Sequence, residues 1–341
     1  MKTFHHPDQA LHHPRTYFSR GQMREPQEVP AREQALLAAV HDLGFPVSEP
    51  PDAGAAPILA VHGMDYLRFL QDAHADWTAL GPDWGGEVVS NIFVREPNAL
   101  RGVLAQAGRY IADGSAPIGP GTFRAAYASA QCAVAGADAL NAGAREAYAL
   151  CRPPGHHARR EAAGGFCFLN NAAIAAERLR ARHARVAILD TDMHHGQGIQ
   201  EIFYDRADVF YVSIHGDPTN FYPATAGFAE ERGSGAGAGY NLNLPMPHGS
   251  DEGVFFAELA RALRALALYR PDALVLSLGF DIYAGDPQAK VAVSPDGFAR
   301  LGAAIGGLRA PTLVVQEGGY CIAALTELSR RFFTGFAAAR G

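Results

Sequence analysis

The sequence predicts an α/β protein with a central, mainly parallel sheet of about eight strands and helices on both faces. From residue 122 onward, short apolar runs alternate with segments of helical periodicity, which is the pattern of βαβ units. The run at 186–190 (VAILD) is apolar up to its last residue, as expected for a strand that is covered on both faces. No fixed-period repeat and no linker interrupts the chain, so we expect residues 1–341 to form one domain.

The predicted elements have recognisable boundaries. Pro30 opens an amphipathic helix that Gly44 ends. An Ala-rich helix at 122–141 ends before Gly143, and its many alanines suit close packing on a sheet. The other predicted strands are 147–151, 208–214, 273–278 and 312–316, and the other helices lie near 171–183, 198–204, 252–268, 296–308 and at the end of the chain.

Two segments lack any clear periodicity, at about 15–30 and at 79–121. Long irregular segments in compact domains often form lids or contact surfaces. We therefore interpret both segments as loops that line the rim of a substrate site or form a contact between subunits.

The composition excludes several functional classes. A formal net charge of −6 provides no basic surface for binding nucleic acid through its phosphates. The chain contains no apolar run of membrane-spanning length and no apolar signal-peptide region near its N-terminus. The four cysteines form no C-x-x-C pair and are interpreted as reduced thiols. We therefore expect a cytoplasmic protein that binds neither nucleic acid nor membranes.

Polar clusters follow four of the predicted strands, and each cluster contains side chains that can carry chemistry. The clusters contain His156 and His157, Asp190 to His195, Asp281, and Glu317 to Tyr320. In a parallel sheet the carboxyl ends of the strands lie along one edge, where open α/β sheets bind ligands. Four such clusters indicate a catalytic site at this edge.

Three of these residues form a candidate metal site. Asp192 and His194 are two positions apart, so in an extended segment both side chains point to the same side. With Asp281 they offer two carboxylates and one imidazole, which leaves a divalent ion an open position for water. Such an ion lowers the pKa of its water and polarises a carbonyl group. These donors select zinc less strongly than thiolates do, so Fe²⁺ or Co²⁺ could also serve.

The neighbouring side chains suit hydrolysis of a neutral acyl bond such as an amide. His156 and His157 can divide general acid and base catalysis from electrostatic support. Asp190 is interpreted as the carboxylate that orients one imidazole. Tyr320 follows a Gly-Gly turn and can donate its hydroxyl to a developing oxyanion.

Five ordered motifs resemble those of the histone deacetylase superfamily, which has the arginase-type α/β fold. The motifs are RPPGHH, GGFCFLNN, LDTDMHHGQG, SLGFD and QEGGY. Within the superfamily the chain is similar to the bacterial acetylpolyamine amidohydrolases over essentially its whole length. The resemblance implies a single-domain arginase/deacetylase-type fold and a zinc-dependent deacetylase.

The resemblance also implies roles for individual residues. His157 matches the general base and acid, with His156 as its electrostatic partner. Tyr320 matches the tyrosine that polarises the substrate carbonyl. The zinc ligands are matched by Asp192, His194 and Asp281. The walls of the acyl-amine tunnel are matched by Phe166 and Tyr222, beside Gly165.

Structural monovalent cations, K⁺ or Na⁺, are implied by the same resemblance. Arg32 matches a buried arginine near the tunnel floor. The inner cation site is matched by Asp190, the main-chain oxygens of Asp192 and His194, Ser213 and Ile214. The second cation site is matched by Phe203, Arg206, Val209 and Tyr240.

One position departs from the pattern of the family. Many members carry an acid after HHG, paired with the second tandem histidine, whereas this chain has Gln197. An amide stabilises an imidazolium less than a carboxylate does. We therefore expect His157 to lose its proton more readily than in acid-bearing relatives, with activity retained.

The preferred hypothesis is a deacetylase of small N-acetylated amines, such as acetylputrescine or acetylcadaverine. The related polyamine enzymes narrow their tunnel with N-terminal insertions and a tight dimer. The segments 15–30 and 79–121 are candidates for these features, so we expect a homodimer. The distal ammonium of the substrate would then meet a carboxylate in a restricted mouth. The candidate carboxylates are Glu25, Glu28, Glu87 and Glu96.

Three alternatives compete with this hypothesis. A protein acetyl-lysine deacetylase would use the same chemistry with an open rim. An arginase-like di-manganese hydrolase would need a second carboxylate two residues after His194, where this chain has Gly196. A binding or sensor protein on an inactivated fold would lack a metal ligand or the tyrosine, and this chain retains all of them.

Overall fold

The structure is a computed structural model that describes residues 1–95 and 99–341. Its strands are β1 (Lys2–Phe4), β2 (Tyr17–Ser19), β3 (Gln22–Arg24), β4 (Val47–Ser48), β5 (Glu146–Ala149), β6 (Val186–Asp190), β7 (Val209–Gly216), β8 (Asn241–Met246), β9 (Ser250–Asp251), β10 (Ala273–Leu278), β11 (Val291–Ala292) and β12 (Thr312–Gln316). Its helices are α1 (Pro30–Asp42), α2 (Ala56–Leu59), α3 (Met64–Thr78), α4 (Val103–Tyr110), α5 (Thr122–Asn141), α6 (Asn171–Arg180), α7 (Gln197–Phe203), α8 (Glu252–Tyr269), α9 (Pro295–Gly306) and α10 (Ile322–Arg340), with 3₁₀ turns at Pro7–Leu11 and Gly235–Gly237.

Eight strands form the central sheet in the order β4-β1-β5-β12-β10-β6-β7-β8, and every neighbouring pair is parallel. This confirms the predicted α/β fold with a parallel sheet of about eight strands. The order places β6, β10 and β12 side by side, although they come from distant parts of the sequence. Ser277 pairs with Asp190, and Leu278 pairs with Gln316. The carboxyl ends of these strands therefore meet at one edge of the sheet.

Helices cover both faces of the sheet, and successive strand residues point into two separate cores. On β6, Ile188 lies in a core with α3, α5 and α6, whereas Leu189 lies in the opposite core with α1, α8, α9 and α10. The small residues of α5 let this helix approach the sheet closely, because a Cβ on Gly136 would collide with the side chain of Leu313. Burial on both faces explains why these strands are continuously apolar.

The two irregular segments contain more regular structure than predicted. Within 15–30, strands β2 and β3 pair as an antiparallel hairpin. Within 79–121, helix α4 buries Val103, Ala107 and Tyr110. These three side chains share one helical face, but the pattern covers only two turns and is flanked by irregular sequence. The prediction of loops was therefore wrong for these two stretches.

No helix within the described ranges is both long and apolar enough to cross a membrane. The cysteines are free thiols, of which Cys132, Cys151 and Cys167 are buried and Cys321 is partly exposed. Burial raises the pKa of the three buried thiols, which keeps them protonated and unreactive.

Candidate metal and catalytic site

The polar clusters found in the sequence meet at the carboxyl edge of four adjacent strands. Strands β5, β12, β10 and β6 are consecutive in the sheet. The segments that follow them contain His156 and His157, Tyr320, Asp281, and Asp192 with His194. All of these side chains are buried except Tyr320, which is partly exposed. The topology therefore brings the predicted metal and catalytic residues together.

Asp192, His194 and Asp281 form a compact group of metal-binding atoms. One donor atom from each residue lies within 4.8 Å of the donor atoms of the other two. The Nδ1 atom of His194 is 3.1 Å from Asp281 Oδ2 and 3.4 Å from Asp192 Oδ1. Two buried carboxylates at this spacing repel each other unless a positive charge compensates them. The group thus has the composition and spacing of a divalent cation site.

Backbone N–H groups hold both carboxylates in place. The N–H of His194 donates to Asp192 Oδ1 at 2.9 Å, and the N–H of Gly318 donates to Asp192 Oδ2 at 2.8 Å. The N–H of Met193 donates to Asp281 Oδ1 at 3.0 Å. Position 318 requires glycine, because a Cβ there would lie 2.5 Å from Asp192 Oδ2. The turn after β12 therefore reaches the metal-binding group with its backbone.

The field at this site favours a positive charge. Burial disfavours a charge on His194, but hydrogen bonds and charges from Asp192 and Asp281 outweigh burial and raise the pKa of His194 to about 9. Burial and the neighbouring charge of Asp192 raise the pKa of Asp281. A divalent cation would compete with these protons for the same atoms. Two carboxylates and one imidazole therefore fit a catalytic metal ion.

The tandem histidines lie in different electrostatic environments. The Nδ1 atom of His156 is 3.1 Å from Asp190 Oδ2. Burial opposes a charge on His156, but the charges of Asp192 and Asp190 outweigh burial and raise the pKa of His156 to about 10. The Nδ1 atom of His157 is 2.6 Å from Gln197 Oε1. Burial and the charge of His156 lower the pKa of His157 well below its usual value. His156 is therefore the charged imidazole, and His157 is the neutral one that can accept a proton.

The turn after β12 also positions Tyr320. The N–H of Tyr320 donates to Asp286 Oδ2 at 2.6 Å. Arg32 donates to the carbonyl oxygens of Glu317 and Gly319 at 2.6 Å, and its guanidinium lies 4.8 Å from the centroid of the Tyr320 ring. Burial raises the pKa of Tyr320 well above its usual value. The hydroxyl therefore keeps its proton and can donate a hydrogen bond into the cavity that it lines.

A cavity of about 660 Å³ opens onto His157, His194 and Tyr320. Phe166 and Tyr222 contribute to its walls. The ring of Tyr222 meets the ring of His157 edge to face, with 4.8 Å between centroids. This volume is in the range of small-molecule sites, and aromatic walls beside a few convergent polar groups are typical of them.

The acids predicted to bind a distal ammonium do not line this cavity where they fall within the described residues. Glu25 is exposed, and Glu96 lies outside the described residues. Glu87 does not line the cavity, and its Oε1 accepts the backbone N–H of Arg15 at 3.0 Å. The charged side chains that do line the described walls, apart from the site histidines, are Arg20 and Lys290. The described walls of one chain therefore supply none of the predicted carboxylates.

Glu28 was predicted to lie at the mouth, and this prediction was wrong. Glu28 is buried, and its Oε1 lies 2.9 Å from both Arg32 Nη1 and Arg152 Nε. Burial alone would raise the pKa of Glu28, but Arg152 and Arg32 lower it. The carboxylate thus compensates two buried guanidinium groups and holds Arg32 near Tyr320. No sequence pattern indicates this ion pair, because Arg152 is far from Glu28 along the chain.

The residues predicted to bind monovalent cations lie along β7 and its neighbours. Asp190 pairs with Ser213 between β6 and β7, and its Oδ2 accepts the hydroxyl of Tyr211 at 3.0 Å. The guanidinium of Arg206 lies 5.0 Å from the centroid of the Phe203 ring. The other predicted members, on β7 and just before β8, are Val209, Ile214 and Tyr240. A K⁺ or Na⁺ ion at either place stays a prediction.

Two carboxylates at the site received no role in the sequence analysis. Glu317 is buried beside the tandem histidines, and its Oε2 accepts the N–H groups of Gly155 and His156 at 2.7 and 3.1 Å. Asp113 accepts the hydroxyl of Tyr222 at 2.7 Å. Glu317 directly follows β12, and the strand-end rule placed it in a polar cluster without indicating its contacts. Asp113 lies in an irregular segment and has no comparable signal.

Known proteins are similar to this chain in both sequence and fold. A model of the histone deacetylase domain matches residues 26–336. The chain is 69% identical over 341 residues to an acetylpolyamine amidohydrolase of Burkholderia pseudomallei, covering 100% of both chains. It is 45% identical over 336 residues to acetylpolyamine amidohydrolase 1 of Pseudomonas aeruginosa, covering 95% of both. A crystal structure of acetylpolyamine aminohydrolase from Burkholderia pseudomallei superposes with a TM-score of 0.99 over 99% of both chains, at 68% identity. The chain therefore belongs to the histone deacetylase family.

Proposed function

We propose that this protein is a zinc-dependent deacetylase of small N-acetylated amines, which releases acetate and the free amine. The observation that carries the proposal is the convergence of a metal-binding group, a histidine pair and a tyrosine hydroxyl on one aromatic-walled cavity. Similarity to acetylpolyamine amidohydrolases supports the substrate class. The buried free thiols suit the cytoplasm, where we place this activity.

Asp192, His194 and Asp281 would hold the metal ion, for which we propose Zn²⁺. When bound, such an ion supplies a Lewis acid and a water of lowered pKa. The same donors accept Fe²⁺ or Co²⁺. K⁺ or Na⁺ ions near Asp190 and Phe203 would further compensate the buried negative charge at this edge of the sheet.

His157 would act first as general base and then as general acid. Its Nδ1 faces Gln197 Oε1, so Nδ1 carries the hydrogen and Nε2 is free to accept a proton. His157 takes a proton from the attacking water and delivers it to the amine nitrogen as the amide bond breaks. His156, which Asp190 keeps charged, stabilises the negative charge of the transition state without transferring a proton.

Tyr320 would donate its hydroxyl to the substrate carbonyl oxygen as that oxygen becomes negative. Phe166 and Tyr222 would pack against the acyl-amine chain and exclude water from it. We assign the carboxylate for the distal ammonium to the second subunit of a homodimer, through the segments 15–30 or 79–121. The lack of the predicted acids on the described walls of one chain supports this assignment.

A steady-state comparison of the zinc-loaded enzyme tests the proposal. The value of kcat/KM would be measured on acetylputrescine, acetylcadaverine, acetylspermidine and an acetyl-lysine peptide. We expect an acetylated diamine to be preferred over the peptide by more than about tenfold, which is about 1.4 kcal/mol of transition-state binding. Preference for the peptide would assign the chain to the protein lysine deacetylases. No hydrolysis by the metal-loaded protein would indicate a binding or sensor role.

The substitution Gln197→Glu should move the acidic limb of the pH profile of kcat/KM to higher pH. Activity requires neutral His157, so it falls as the pH drops below the pKa of that imidazole. The native amide lies 2.6 Å from Nδ1 and leaves the pKa low, whereas a carboxylate at the same place would raise it. We expect the limb to move by about one pH unit or more.

The matched control for this experiment is Gln71→Glu, which adds the same charge at an exposed position on α3. This control should leave the profile unchanged. Zinc content measured at each pH separates protonation of His157 from loss of the metal. A limb that stays in place or moves to lower pH in Gln197→Glu would refute the pKa assignment.

A further inference from the structure

A row of hydrogen bonds leads from His157 to the carboxylate of Asp113. The Nδ1 atom of His157 is 2.6 Å from Gln197 Oε1. The amide nitrogen of Gln197 donates to the Tyr222 hydroxyl at 3.3 Å, and this hydroxyl donates to Asp113 Oδ2 at 2.7 Å. The four side chains come from four separate segments of the chain, and each contacts the next.

The donors and acceptors in this row of hydrogen bonds can be assigned by starting at Asp113. A carboxylate only accepts hydrogen bonds, so Tyr222 must direct its hydrogen toward Asp113. The Tyr222 oxygen is then left as an acceptor, which requires the NH₂ group of Gln197 to face it. The carbonyl oxygen of Gln197 therefore faces His157. An imidazole nitrogen opposite a carbonyl oxygen must carry a hydrogen, which leaves Nε2 with the free lone pair.

We propose that Asp113 and Tyr222 are positioning residues, which orient the Gln197 amide and thereby fix the tautomer of His157. This role rests on the proposed function, in which Nε2 of His157 is the general base. A carboxylate at position 197 would present an acceptor in either orientation. An amide can turn either its oxygen or its NH₂ group toward the histidine, and only one of these gives the reactive tautomer. Gln197 therefore needs an orienting partner that an acid would not need.

Asp113 is itself held in place as an acceptor. Its Oδ1 accepts the N–H and the hydroxyl of Ser115 at 2.8 and 2.5 Å, and its Oδ2 accepts the N–H of Gly165 at 3.2 Å. Gly165 packs tightly beside the row, because a Cβ there would lie 2.7 Å from His157 Cγ and 2.8 Å from Tyr222 Oη. Burial and the charge of Asp113 raise the pKa of Tyr222 well above its usual value, so the phenol stays protonated. These contacts thus hold the Asp113 carboxylate in place at this end of the row.

Two variants test the role in the zinc-loaded enzyme. Tyr222→Phe keeps the ring that lines the cavity and removes only the hydroxyl. Asp113→Asn keeps the shape of the side chain but adds a hydrogen-bond donor. Tyr222 is then no longer forced to donate to residue 113, so the direction of the hydrogen bonds along the row is no longer fixed. Each variant should lower kcat on acetylputrescine by about ten- to a hundredfold, the loss typical of residues that orient a metal-ligating imidazole, with KM within about twofold of wild type.

A matched control is Tyr127→Phe, which removes another tyrosine hydroxyl that donates to an aspartate. Tyr127 donates to Asp52 Oδ1 at 2.6 Å on the exposed surface. This variant should leave both kcat and KM unchanged. Tyr222→Phe should also cost much less in the Gln197→Glu background than in wild type, since a carboxylate needs no orientation. An equal loss in both backgrounds, or a change in KM alone, would show a merely structural role and overturn the proposal.

The tautomer can be read without substrate by NMR of ¹⁵N-histidine-labelled, zinc-loaded protein, with His157 assigned by the loss of its signals in a His157→Gln variant. Wild type should carry the hydrogen on Nδ1, and Asp113→Asn should show a mixture of tautomers. Hydrogen on Nε2 in wild type, or an unchanged tautomer in Asp113→Asn, would overturn the positioning role. Absence of hydrolysis by wild type would instead refute the proposed function, while the NMR result would still decide the role of the row.

Discussion

The substitution Asp281→Asn should remove bound zinc and reduce kcat/KM on acetylputrescine by more than about a hundredfold. The amide has nearly the same shape but no charge, so the site keeps Asp192 and His194 with one carboxylate fewer. Changes to residues that merely support a metal ligand cost about ten- to a hundredfold, and loss of a charged ligand should cost more. Elemental analysis after dialysis would measure zinc content beside the kinetics.

The same variant should be at least as stable as wild type when a chelator is present. Burial and Asp192 raise the pKa of Asp281 in the folded protein above its value in the unfolded chain. Above about pH 9, where His194 has also lost its proton, the ionised carboxylate has no charged partner and therefore costs folding free energy, whereas the neutral amide does not. Thermal melts with chelator would show an equal or higher Tm. The exposed residue Asp52 offers a control, since Asp52→Asn should change neither zinc content nor activity. An Asp281→Asn protein that keeps zinc and full activity would remove Asp281 from the metal site.

The residues of the proposed metal and catalytic site could be located from the sequence because they follow strands that are easy to recognise. The runs predicted as strands at 186–190, 273–278 and 312–316 coincide with β6, β10 and β12. These strands are buried on both faces, so each is a continuous apolar run that can be recognised within a few residues of sequence. The order of the strands in the sheet could not be predicted in the same way. It depends on packing between segments that are distant in sequence.

The residues that sequence analysis misplaced or missed are those whose partners lie far along the chain. Glu28 has the sequence context of a loop residue, but Arg152 and Arg32 surround it in the interior. Asp113 lies in an irregular segment, and the role proposed for it depends on a contact with Tyr222. Neither contact follows from periodicity or from a strand end. Charge compensation and hydrogen-bond direction are properties of the folded site, so these two carboxylates needed the structure.

The substitution Tyr320→Phe should lower kcat by about two to three orders of magnitude, the usual cost of losing one donor to an oxyanion. The ring contacts remain possible in phenylalanine, since Phe166 meets the ring edge to face at 5.6 Å and Arg32 lies 4.8 Å from its centroid. Only the hydrogen bond to the developing oxyanion is lost, so KM should change by less than about threefold. Zinc content should equal that of wild type, which separates this variant from Asp281→Asn.

The loss in Tyr320→Phe should also be independent of pH across the neutral range. Burial raises the pKa of Tyr320 and the charge of Asp192 adds to this effect, while Arg32 opposes it, so the phenol is protonated throughout. A pH-independent loss is expected of a fixed donor, whereas a proton-transfer role would change the limbs of the profile. Profiles of kcat for wild type and variant, measured on the same zinc-loaded preparations, make the comparison. A loss below about tenfold would mean that another donor stabilises the oxyanion. The backbone N–H groups around Gly318 and Gly319 would then be the first candidates.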